Sequence, residues 1–429
     1  YAIMAGSVVS IAVQFGLYAP LVRELTDNSD ETREILLRYT SLRFLIMLVT
    51  LAVTAFAVYY IGLPTHLAHM TCIVAIGFGF RRMAFTFFAD LRVHGQQRIE
   101  SRIVMRAVVC SFAYAFLSLA LGFGPRALSA YLLIWGFVLS YFAYKAVEKK
   151  YGSLLSGSLK RELLRPTLST GTLFAAVALL RLGFHHTTIF FLERSSGSSA
   201  VAYYCASLGV VDVTIMVISS LYLEAVFFPE VNKIWPKDRE RTFTLFRKNA
   251  LWLLAITMPI TYFLFIESKT MIGIIYPASY ASSVYVLQCM AFTIPLFCLA
   301  SVFYHFLIVT KQERTLLALS LSAFVVNIFL NGKFVLSHGI IGAAMVPVFT
   351  GLFRVLQYLI ICQTRHKLFS LFDVLVPLGC CVFIVAAHKT MSQLLPLHLD
   401  LIVALGIYVA LLVIYRLLTH GPLAWQKAQ

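Results

Sequence analysis

Two adjacent arginines, Arg81 and Arg82, stand inside a long apolar stretch, and a third, Arg181, stands inside another. A guanidinium is permanently charged and presents a planar fork of donors that matches an oxyanion, so arginines in such places point to binding of an anionic group. Neighbouring residues on a helix project about 100° apart, so at most one of Arg81 and Arg82 can face a given cavity squarely. The plainer role for either is a side chain reaching down to a headgroup layer. From Arg181, His185 at i+4 and Thr188 at i+7 continue one face. Asp212 lies in the next apolar stretch, with Gly209, Met216 and Ser219 on its side. A turn is expected near Ser196–Gly197, which Arg181 precedes and Asp212 follows by almost the same number of residues. The two are therefore expected at similar depth, able to pair. Such a pair either fixes helix packing or acts as a switch, in which a protonated or cation-bound Asp212 releases Arg181 to hold an anion. His185 and His186 belong to the residue type that titrates near neutrality, although a histidine on an apolar face more often packs through a hydrogen bond. Ser320, Asn327 and Asn331 form a stripe that suits interhelical hydrogen bonding, or contact with a cation or a sugar. Arg354, with Gln357 and Tyr358, and likewise Glu224 fall near helix ends, where snorkelling is the simpler expectation.

The elements that carry these residues are set by composition. The chain has 429 residues, 60% apolar and 13% charged; a soluble chain carries roughly 25% charged residues. Lipid offers the backbone no hydrogen-bond partner, so only helices of roughly 20 apolar residues or closed barrels span it. Runs such as Ile3–Ala19 and Leu401–Leu418 are apolar all round and do not alternate, which excludes barrel strands. The reading is an all-α polytopic membrane protein of about thirteen visible transmembrane helices, each near the roughly 20-residue length a bilayer requires. They are placed at 1–22, 43–62, 67–89, 103–122, 127–146, 167–192, 200–227, 248–267, 284–309, 315–332, 339–362, 373–389 and 399–418.

The net charge of +16 invites a nucleic-acid reading, and its distribution argues against one. Alternate connections placed on one side collect 26 Lys and Arg, including the clusters Lys145–Arg165 and Lys233–Lys248, against five on the other. That asymmetry is the positive-inside rule, so the basic balance reports topology and contact with anionic lipid. It puts Pro64, Arg126, Ser196, Lys269 and Lys389 outside, Ser156, Lys237 and Lys367 inside, and the C-terminus in the cytoplasm. An outer-facing start at Tyr1 leads to the expectation of one more helix upstream, fourteen in the parent chain. The polar stretch 148–166 reads as an inter-lobe linker between an N-lobe (1–147) and a C-lobe (167–362), with a terminal helix pair at 363–429. Two six-helix lobes facing a central cavity follow the repeat logic of alternating-access transporters. The charged stretch 23–42 is expected to lie in the membrane interface. Tyr203, Tyr204, Tyr276, Tyr280 and Tyr285 are expected to form an outer aromatic belt. The eight cysteines have no metal-ligand spacing, and adjacent Cys380–Cys381 cannot form an ordinary disulfide.

Enzyme chemistry has no motif to carry it. There is no Gly-rich phosphate loop with Lys-Ser/Thr and no His-Glu-x-x-His, and Glu193 and Glu267 stand without a partner carboxylate. No cofactor is expected.

Several short segments in order resemble the polysaccharide-export flippases. They are Phe15-Gly16-Leu17 followed by Val22-Arg23-Glu24; Phe228-Pro229 closing a helix before a basic loop; Ile275-Tyr276-Pro277 with Tyr280; Val326-Asn327-Ile328 with Asn331; and His338-Gly339-Ile340-Ile341-Gly342-Ala343-Ala344. The resemblance is to the O-antigen (Wzx-type) repeat-unit flippases, which share a superfamily with lipid II flippases and MATE exporters; Tyr276-Pro277 departs from the Phe-Gly the family often has there. It implies a bacterial inner-membrane protein moving an undecaprenyl-pyrophosphate-linked oligosaccharide, with Arg81, Arg82, Arg181, His185, Asn327 and Asn331 at the substrate and Asp212 coupling an ion. Implied partners are membrane lipids, a polysaccharide polymerase and glycosyltransferases. A multidrug exporter is the nearest alternative and would want an acidic cavity. A membrane glycosyltransferase or polymerase would want a large outer loop bearing catalytic residues, and no outer connection is long enough. A scaffold without transport is the remaining alternative.

Overall fold

The computed structural model describes residues 2–27, 31–60, 62, 64–153 and 164–366. The helices expected at 373–389 and 399–418, the Cys380–Cys381 pair and most of the polar linker lie outside the described residues. Every described element is helical, in the order α1 (Ala2–Gln14), α2 (Tyr18–Asp27), α3 (Thr32–Tyr60), α4 (Thr65–Val93), α5 (Gln97–Ala120), α6 (Pro125–Tyr151) and α7 (Leu164–Met216). There follow α8 (Phe228–Ile234), α9 (Arg239–Ile266), α10 (Ser268–Ile275), α11 (Ser283–Ala291), α12 (Thr293–Val309), α13 (Glu313–Leu330) and α14 (Leu336–His366). Wider π turns join α7 to α8 over Val217–Phe227 and α13 to α14 over Asn331–Val335.

Eight stretches among the described residues are long and apolar enough to cross a bilayer. Two of them, Gly171–Ile234 and Glu313–Thr364, are interrupted by glycines with positive φ, Gly197 and Gly339. The first of these is the expected turn. Large apolar side chains stand exposed along α3 (Phe44, Leu48, Phe56) and α5 (Phe112, Phe116), surfaces that suit hydrocarbon and not water. The chain is a multi-pass membrane protein.

Three details differ from the sequence reading, and the place of one further stretch is refined. The helix expected over 1–22 is broken: Phe15 and Gly16 take φ of 40° and 61°, and a Cβ on Gly16 would lie 2.6 Å from the Ala175 nitrogen, so only glycine fits. The stretch 23–42 is shared between the end of α2 and the first turns of α3. Ile35, Leu36, Leu37 and Tyr39 are buried there, so its apolar side packs on protein. Phe228-Pro229 opens α8 and does not close a helix. Pro229 has no N–H to give the carbonyl four residues back, and the π turn ends at this point. The helix expected at 284–309 breaks at Phe292 into α11 and α12. Pro295 leaves the Ala291 carbonyl without its helical donor, and the Thr261 hydroxyl of α9 donates to it at 3.3 Å.

The described chain forms two compact units. The first holds residues 1–182 with 224–237 and 311–318. Its centre is α4, which packs against α1, α3 and α6. Val9, Val13, Met47, Ala75 and Met83 form a small core there. Helices α4 and α6 touch backbone to backbone: a Cβ on Gly77 would meet the Leu132 carbonyl oxygen at 2.6 Å. The second unit holds 183–223, 238–310 and, of the described residues beyond, 319–366. Its core gathers Leu192, Tyr204, Val211, Leu264, Val286, Leu287, Ile294 and Cys298 from α7, α9, α11 and α12.

Candidate functional site

Within the first unit, α4 carries both predicted arginines three turns from its end, and they diverge as the helical angle requires. Arg81 lies over the Trp135 ring of α6, 4.4 Å from its centroid. Arg82 turns the other way, its Nε donating to the Ser10 hydroxyl of α1 at 2.5 Å and its guanidinium standing 5.3 Å over Phe85. A third arginine joins them, one that the sequence reading put at the very start of a helix. Arg43 of α3 is fully buried, and its Nη1 donates to the Arg82 carbonyl at 3.0 Å and to the Thr86 hydroxyl at 2.6 Å. Placing the helix start at 43 hid it; α3 begins at Thr32, with acidic Glu34 in its first turn as the signal for that start. Among the described residues no carboxylate lies within ion-pair distance of Arg43, Arg81 or Arg82.

Three other arginines of the same unit have carboxylate partners. Arg92 forms a forked pair with Glu100, Nε to Oε2 at 2.9 Å and Nη2 to Oε1 at 2.6 Å, and its Nη1 donates to the Tyr18 hydroxyl at 2.8 Å. That hydroxyl donates onward to the Glu224 carbonyl at 3.1 Å. Arg38 pairs with Glu24, whose other oxygen accepts from Tyr39 at 2.9 Å. Arg23 meets Glu313 at 2.8 Å. Asp90, fully buried, accepts from Tyr151 at 2.9 Å, with His94 at 3.0 Å and Lys150 at 3.5 Å. Arg23, Arg38, Arg92 and Lys150, which the sequence reading counted toward topology, are thus also paired within the protein. Among the described residues, Arg43, Arg81 and Arg82 have no such carboxylate partner.

Arg181 is exposed near the end of the first unit, and Asp212 is exposed in the second. Both are on α7, on either side of Gly197. Thr188, on the stripe begun by Arg181, is buried and donates back to the Phe184 carbonyl at 3.3 Å. The His185 side chain lies outside what the structure describes. Within the second unit, Asn327 and Asn331 are buried at the start of a π turn. The Asn331 amide donates to the Asn327 carbonyl at 2.8 Å and to its Oδ1 at 3.1 Å, and Asn327 donates to Thr350 at 3.1 Å. This is an interhelical polar cluster, and Asn331 Oδ1 remains without a protein donor. Ser320, on the same stripe, is also buried.

Two readings are corrected here. Arg354 does not snorkel: it is buried, its guanidinium 5.3 Å from the Phe184 ring and 5.4 Å from the Phe297 ring, a cation held between aromatic faces. Tyr204 is no belt residue, being fully buried in the core of the second unit. Tyr203, one position earlier and so on another face, packs edge-on against Tyr280, which stacks on Tyr276.

The fold has clear relatives. A Vibrio cholerae MATE transporter, VcmN, superposes with a TM-score of 0.68 at 14% identity, over 86% of this chain and 88% of its own. The lipid II flippase MurJ, in an inward closed conformation, gives 0.60 at 15% identity, over 97% of this chain and 90% of its own. A MOP superfamily transporter from Pyrococcus furiosus gives 0.67 at 12% identity, over 85% of each chain. At such identities the likeness is one of fold. No curated sequence matches significantly. The profile of one family, described as polysaccharide biosynthesis protein, matches residues 1–285, well over half of the 429. An all-helical membrane chain of MATE-like fold, whose first unit embeds Arg43, Arg81 and Arg82 with no ion-paired carboxylate among the described residues, thus belongs to the polysaccharide biosynthesis protein family.

Proposed function

We propose that this chain is a flippase that carries an undecaprenyl-pyrophosphate-linked oligosaccharide repeat unit, of O-antigen or another surface polysaccharide, outward across the bacterial inner membrane by alternating access. The observation that carries the reading is the set of embedded arginines without carboxylate partners, a positive interior suited to a pyrophosphate and unsuited to a cationic drug. Arg82 and Arg81 are the first anion contacts in this reading, and Arg181 and His185 add to them. Asn327 and Asn331 contact sugar or a coupling cation, and Asp212 couples an ion. The chain acts as a transporter and not as an enzyme. In this reading the C-terminus is cytoplasmic, and the chain works beside glycosyltransferases and a polymerase.

The test is a set of alanine variants in cells that depend on this protein for surface polysaccharide. Arg82→Ala and Arg181→Ala should each abolish surface polysaccharide at normal protein levels, while lipid-linked repeat units accumulate facing the cytoplasm. Arg82→Lys should rescue in part, because an ammonium keeps the charge and loses the fork. Full surface polysaccharide in a well-expressed Arg81/Arg82/Arg181 triple alanine variant defeats the proposal. Unchanged polysaccharide with drug sensitivity that tracks Asp212 assigns the chain to multidrug export instead.

A further inference from the structure

Glu224 belongs to the first unit and lies within the π turn Val217–Phe227. Its place is fixed through the backbone. The Tyr18 hydroxyl of α2 donates to its carbonyl at 3.1 Å, Arg92 Nη1 donates to that hydroxyl at 2.8 Å, and Glu100 holds Arg92 in a fork. The Phe85 ring joins this chain to Arg82, with the Arg92 guanidinium carbon 5.6 Å from its centroid and the Arg82 guanidinium carbon 5.3 Å. The charge of Glu224 acts on Tyr18 and, attractively, on Arg82, which Arg81 repels. Yet Glu224 and Arg82 form no ion pair. Each keeps part of its surface open, whereas Arg43 is enclosed on every side.

A carboxylate that closes on a guanidinium occupies its fork, as Glu100 does with Arg92. One held near a guanidinium without closing leaves the fork free and acts through its field. It lowers the positive potential that an incoming anion meets and repels the anion as well. We propose that Glu224 limits how tightly Arg82 holds a pyrophosphate group, acting as a fixed negative charge that the ligand works against. The inference rests on Arg82 as an anion contact in the transport reading, and it adds the residue that keeps the bound group releasable. A carried group must be held well enough to enter and weakly enough to leave.

The test uses the full chain purified in mild detergent, with inorganic pyrophosphate as the probe and equilibrium dialysis at fixed pH and ionic strength as the measurement. Glu224→Gln should bind the probe more tightly, on the order of tenfold, as removal of one partly screened charge near the site allows. Glu224→Asp keeps the charge and should stay near the native affinity. Glu230→Gln, at an exposed carboxylate of α8 paired with Lys233, makes the same change in net charge and should leave the affinity alone. In an Arg82→Gln background, Glu224→Gln should lose most of its gain. Equal affinities in the native chain and Glu224→Gln overturn the proposal, as does an equal gain in Glu230→Gln or a failure of both native and Glu224→Gln chains to bind. A gain of full size without Arg82 also overturns it. Should Arg82→Gln not fold, a gain in Glu224→Asp as large as that in Glu224→Gln does so instead. Surface polysaccharide that survives the Arg81/Arg82/Arg181 triple alanine variant sinks the transport reading alone, because the effect of Glu224 is read from binding.

Discussion

Arg92 and Arg43 are both buried arginines of the first unit, and their surroundings give them opposite characters. Arg92 has a carboxylate in a forked geometry and a phenol on its third nitrogen; Arg43 has a carbonyl and a hydroxyl. Removing one partner of a buried pair strands the other charge, which costs about 3–5 kcal/mol, whereas removing both is often much milder. Arg92→Ala and Glu100→Ala should therefore each lower the unfolding midpoint in detergent markedly, and Arg92→Ala/Glu100→Ala should recover a good part of the loss. Additive losses in the double variant would mean that the pair is not coupled. Arg81 and Arg82 were legible in the sequence because a charge inside an apolar run is conspicuous. Arg43 was not, because a charge at the apparent start of a run looks like a loop residue. Partners are harder still: nothing in the order of residues places Glu100 on Arg92 or Trp135 under Arg81.

At the scale of helices, a long apolar run shows that a helix exists and says little about where it breaks. The turn at Gly197 was readable from Ser-Ser-Gly-Ser-Ser. The break at Phe15-Gly16 was not, since apolar residues continue on both sides and the need for glycine comes from the backbone at Phe174–Ala175, far along the chain. The break before Pro295 depends in the same way on a hydroxyl from another helix. Close backbone approach also makes a prediction. A Cβ at Gly136 would fall on the Gly77 carbonyl oxygen and stand 3.2 Å from the Arg81 nitrogen. Gly136→Ala should thus push α6 from α4, costing about 1–3 kcal/mol as overpacking does, and disturb Arg81 on its tryptophan. Gly273, inside α10 with no atom within 4 Å of an added Cβ, provides the control. Gly273→Ala should be neutral or gain up to about 1 kcal/mol from lower chain entropy. Equal unfolding midpoints for the two variants would contradict the tight α4–α6 contact.

At the scale of the whole molecule, the alternation of charge along the chain can be set beside contacts in the first unit. Arg33 at the start of α3 donates to the Ser153 carbonyl just past α6 at 3.1 Å, Lys150 reaches Asp90 near the end of α4, and Arg92 meets Glu100 across the α4–α5 turn. Arg23 meets Glu313 at the start of α13. Four connections that the sequence reading put on one side thus meet at one end of that unit, as helices that cross and return require. In the second unit, a Cβ on Gly339 would lie 2.7 Å from the Ser196 hydroxyl, so two turns given to the opposite side also meet. Contacts say which turns share an end, while the excess of Lys and Arg says which end faces the cytoplasm. Single cysteines in a background without the eight native ones test the two together. Cysteines placed at Arg126, Ser196 and Lys269 should react with a membrane-impermeant maleimide in intact cells. Those at Ser153 and Lys237 should react only after the membrane is permeabilised. If 153 and 237 label from outside and 126, 196 and 269 do not, the orientation is inverted and the proposed direction of transport fails with it. If 126 and 153, at opposite ends of α6, label alike, α6 does not cross the bilayer and the span assignment is wrong at its centre.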